Sequence, residues 1–148
     1  MVVTCKTRKL MMPELKAMPS EEFAEVQATV LLAGLPEMSM LVNIGRASKD
    51  AVRCAFKSCG YEFPYQKKVV AQVVGKKTTS FGTMLTADCE LPIAIAILAA
   101  TEQIDPKKVE GREFSGLLKL DGTVYTYAEE NGRNPYIGKT LREVAQSL

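Results

Sequence analysis

Between Glu90 and Ala100 the chain reads ELPIAIAILAA, and Leu91 to Ala100 is its longest apolar run. Pro92 fits the first turn of a helix, where a missing amide hydrogen costs nothing. From Ile93 onward the segment is apolar on every side, so a helix here has no face for water and belongs at the centre of the molecule. The run is about half of the roughly 20 residues that a membrane-spanning helix needs. A buried central helix is expected, and no membrane role.

Moving toward the N-terminus, Gly75 to Asp88 reads as a long polar loop or hairpin, and Lys67 to Val74 as a strand. Before it, Ala51, Val52, Ala55, Phe56 and Cys59 recur at helical spacing, with Ser48 available as a cap and Gly60 as the stop. Lys49, Arg53 and Lys57, four apart, form a basic stripe on another face of that helix. Phe23 to Ala33 and Met38 to Ile44 read as adjacent strands turned by Gly34-Leu35-Pro36. Residues 1–22, interrupted by Pro13 and Pro19, are expected to be a strand or arm with a connector, leaving residues 23–148 as one domain. Toward the C-terminus, Glu113 to Leu120 and Thr123 to Tyr127 predict a hairpin turned at Asp121-Gly122. Ala128 to Pro135 reads as a polar loop. Leu141, Val144, Ala145 and Leu148 then share one face of a closing helix. No internal repeat divides the chain.

The remaining composition narrows the chemistry. With 148 residues, 47% hydrophobic and 24% charged, the chain suits one globular domain. A net charge of +2 gives no field able to attract nucleic acid or membrane as a whole, so any such binding must use a local patch. The complete absence of histidine removes Ser-His and Cys-His nucleophile pairs, imidazole bases and nearly every mixed zinc site. Cys5, Cys54, Cys59 and Cys89 show no CxxC pairing and fit reduced cytosolic thiols better than a disulfide framework or a metal cluster. Lys6, Arg8 and Lys9 are followed by only Leu10-Met11-Met12 before Pro13, too little apolar sequence for a secretion signal. A cytoplasmic location is expected, with no cofactor and no metal.

Several short motifs recur here in a known order. They are Gly34-Leu35-Pro36, Ala51-Val52-Arg53 and Lys57-Ser58-Cys59-Gly60-Tyr61-Glu62-Phe63-Pro64. Leu91-Pro92-Ile93-Ala94, Ile97-Leu98-Ala99-Ala100, Glu113-Phe114-Ser115-Gly116 and Leu120-Asp121-Gly122 follow. Over about Glu25 to Val124 this order resembles the N-terminal domain of the magnesium-chelatase-like competence ATPases. The resemblance implies the fold of the Lon proteolytic domain, an α/β (α+β) mixed sheet packed against helices, and an association with DNA processing. In that family the domain precedes a ring-forming ATPase, which these residues do not include. Gly138-Lys139-Thr140 does not supply one. A phosphate-binding loop needs glycine at position 133, where this chain has Arg133, and only nine residues follow Lys139.

Lon-type proteolysis uses a serine activated by a lysine. The resemblance places Glu90 where that serine stands, a degenerate-site position close to the aspartate of non-proteolytic relatives. Lys139 falls near the lysine's place once the extra loop from Ala128 to Pro135 is allowed, and Ser80 and Cys89 are the remaining nucleophile candidates. Glu90 itself is expected to cap the central helix. The family's proline-alanine-acidic stretch before that helix is replaced by Gly75-Lys76-Lys77-Thr78-Thr79, so the contacts of that loop do not carry over.

Three functions follow in order. The first is a non-catalytic assembly or regulatory domain, acting with itself as an oligomer or with a protein partner. The second is a non-specific nucleic-acid-binding module using Lys49, Arg53, Lys57, Lys67, Lys68, Lys76 and Lys77 on DNA phosphates, with salt-sensitive binding. The third is a Ser-Lys or Cys-Lys hydrolase built on Lys139.

Overall fold

A computed structural model describes residues 2–8, 23–31, 38–41, 46–63, 68–74, 89–126 and 134–148. Strand β1, Val2–Arg8, pairs antiparallel with β2, Phe23–Leu31, from Val2 against Thr29 to Arg8 against Phe23. Strand β3, Met38–Leu41, is followed by helix α1, Arg46–Ser58, and then by β4, Lys68–Val74. Strand β4 runs antiparallel to β2 and parallel to β3, giving one mixed sheet in the order β1-β2-β4-β3.

The expected adjacency of β2 and β3 is therefore corrected, because β4 inserts between them. Parallel neighbours need a crossover, which α1 supplies between β3 and β4. Gly34-Leu35-Pro36 lies outside the described residues.

Alternation along the strands sends Val3, Cys5 and Thr7, Val26 and Ala28, and Val69 and Ala71 to one face, all fully buried. Helix α2, Glu90–Ala100, lies on that face against β1, β2 and β4, and α1 packs against α2. Every residue from Glu90 to Ala99 is buried, as the all-round apolar pattern requires. The alternation of isoleucine with alanine from Ile93 to Ile97 lets small positions admit neighbouring elements while large ones fill the space between them.

On α1, Ala51, Val52, Ala55, Phe56 and Cys59 are buried as their spacing predicts. Ser48 is not the cap, since the helix already begins at Arg46. Gly60 does end the helix. At φ +77° it directs the Tyr61 amide to the Phe56 carbonyl and its own amide to Lys57.

The predicted strand Glu113 to Leu120 is split in two. Lys6 donates its amide to Arg112 and accepts from Phe114, so this stretch lies along the outer edge of β1. At Gly116, φ +145°, the chain turns away, and β5 is only Leu117–Leu118. A Cβ at Gly116 would overlap Val124 Cγ1, so the close approach of the two segments requires glycine. Strand β5 pairs with β6, Val124–Tyr125, as the expected hairpin, turned through Asp121 and Gly122. Helix α3, Leu141–Gln146, closes the structure and buries Leu141, Val144 and Ala145. Among the described residues the result is a four-stranded mixed sheet and a short hairpin with three α-helices, an α+β fold.

Candidate functional site

The N-terminus of α2 is built from three separate stretches of chain. Cys89 bridges in parallel to Gly116, and the Leu91 amide donates to the Gly116 carbonyl at 3.0 Å. Glu90 occupies the first turn, where a carboxylate meets the positive end of the helix. Its side chain is 7% exposed, and Oε1 accepts the amide hydrogen of Leu118 at 2.8 Å. The expected capping role is thus corrected. Position N-cap belongs to Cys89, and the Glu90 carboxylate instead ties the start of α2 to β5.

A third segment, Asn134 to Thr140, is stitched to the same region. Asn134 Nδ2 donates to the Ser115 carbonyl, and Asn134 Oδ1 accepts from the Tyr136 amide at 3.0 Å. The Tyr136 ring rests against Phe114 with centroids 5.6 Å apart. Lys139 accepts the Val124 amide at 2.8 Å through its carbonyl, while its residue is exposed. Thr140 then caps α3 in a reciprocal box with Glu143.

The candidate residues are therefore distributed unevenly. Glu90 and Cys89 are buried side by side at the start of α2, and Lys139 stands exposed just before α3. Ser80 lies outside the described residues, as do Lys67, Lys76 and Lys77. Of the basic stripe, Lys57 is exposed and Lys49 half-buried. Arg53 is half-buried with its guanidinium 5.5 Å from the Phe63 ring centroid, and its buried Nε has no hydrogen-bond partner. Cation and ring attract through the quadrupole of the aromatic face, so Arg53 is committed in part to packing. Lys68 is half-buried on β4, opposite Leu31.

None of the four cysteines is in a disulfide, and only Cys54 is exposed. Burial, followed by the nearby charge of Glu110, pushes the Cys5 thiol up to about 12, so it stays protonated and unreactive at neutral pH. No group of three His, Cys, Asp or Glu residues arranged to hold a metal occurs among the described residues. A shallow open depression of about 450 Å³ lies at the far end of α2, lined by residues from Glu102 to Lys107. It is away from Glu90 and has no serine, threonine or cysteine in its lining.

Neither the Asn134 side chain nor the Leu118 amide carries a signal in the sequence. A side-chain amide in a polar loop looks like any other solvated residue, and a backbone donor leaves no trace in residue type.

These features define an α+β domain whose central helix opens on a buried, hydrogen-bonded carboxylate. Residues 22–130 match the family described as subunit ChlI of Mg-chelatase, and the chain belongs to that family. It is also 34% identical over 93 residues to the uncharacterized protein YifB of Salmonella typhimurium and, equally, to that of Escherichia coli K12. The match covers 63% of this chain and 16% of each relative.

Proposed function

We propose that this is a non-catalytic assembly domain of the magnesium-chelatase-related group, associating with copies of itself or with a partner protein in the cytoplasm. The observation that carries the reading is the direction of Glu90. Where the resemblance to Lon would place a nucleophile, this chain has a carboxylate turned inward to the Leu118 amide. A group held that way serves the packing of α2 on β5. Burial of Cys89 and exposure of Lys139 further oppose a nucleophile-base pair, which needs both groups within hydrogen-bond reach. Four cysteines with no disulfide among them support the cytoplasmic setting.

The test is incubation of the purified chain with an unfolded protein substrate, beside Lys139→Ala. The expected result is no cleavage by either. Cleavage by the wild type that Lys139→Ala abolishes would overturn the reading in favour of a hydrolase.

Exposure of Lys57 on the basic face of α1 favours a second reading, contact with DNA phosphates. The stacking of Arg53 on Phe63 weakens it, because that cation is partly spent on packing.

A further inference from the structure

We draw no further inference here: the strongest candidate, the face of the four-stranded sheet turned away from α2, where Val2 and Leu31 stand exposed, carries nothing because no feature among the described residues shows what covers it.

Discussion

Glu90 is the residue on which the functional reading turns, and its bond to Leu118 makes a measurable claim. Removing the acceptor leaves a buried amide hydrogen unpaired, which costs about 1–3 kcal/mol. Glu90→Ala is therefore expected to lower the urea-unfolding free energy by that amount, while Glu90→Gln, which keeps an acceptor oxygen, loses less. Equal losses in the two variants would show that the carbonyl-type acceptor is irrelevant. Glu102 offers a prediction of opposite sign. It ends α2 at φ +61°, in the place that Gly60 takes at the end of α1, with its own amide on Ala99 and the Gln103 amide on Leu98. A non-glycine residue pays about 1 kcal/mol or more for that conformation, so Glu102→Gly is expected to stabilise the fold by about 1 kcal/mol in the same assay.

Cys5 links the buried sheet face to alkaline pH. Its folded thiol is pushed up to about 12 from an ordinary 9.0, so above pH 9 the unfolded chain releases a proton that the folded chain retains. Stability from this group is complete below about pH 9 and is lost as pH rises toward 12. Unfolding measured at pH 8 and pH 10.5 should therefore show a smaller alkaline loss in Cys5→Val than in the wild type. An identical loss in both would remove Cys5 from the account.

At the scale of elements, α3 depends on its first turn. Thr140 accepts from the Glu143 amide at 3.2 Å while the Glu143 carboxylate accepts from the Thr140 amide at 3.2 Å. Thr140→Ala is expected to cost about 1 kcal/mol, and Glu143→Ala to be partly redundant with it in a double-mutant cycle. Additive losses would mean that the two bonds act separately.

The elements also show which features were legible in the chain itself. Helix α2 could be read from its all-round apolar pattern, and α1 from the spacing of Val52, Ala55, Phe56 and Cys59, because periodicity records which faces meet the core. The hairpin was legible in Asp121-Gly122 for the same local reason. Sheet order was not, since the insertion of β4 between β2 and β3 depends on long-range pairing that no local pattern encodes. The break at Gly116 was hidden too. A glycine within a strand-like run signals close approach only once its neighbour, Val124, is known. At the site, the position of Glu90 was readable and the direction of its carboxylate was not, because its partner is a backbone amide contributed by β5.

For the whole molecule, the folded unit is wider than the segment that carries the family match. Residues 22–130 exclude β1 and α3, yet Val3 and Cys5 from one, and Leu141 and Val144 from the other, are fully buried. Strand β1 also pairs along its full length with β2 and receives Arg112 to Phe114 on its outer edge. Trimming the chain to residues 22–130 would expose the sheet face and α2 on two sides. The trimmed chain is expected to show no cooperative thermal unfolding, against a single transition for the full chain.

Assembly remains the central functional claim, and the most direct test is the solution mass of the full 16.2 kDa chain by light scattering. The measurement is made with and without duplex DNA, at low and at physiological salt. Assembly predicts a mass that does not change with DNA or salt, that of a defined oligomer where the chain associates with itself and that of a monomer where the partner is another protein. A monomer that gains mass with DNA at low salt and releases it at physiological salt would contradict it and transfer the function to the basic face of α1.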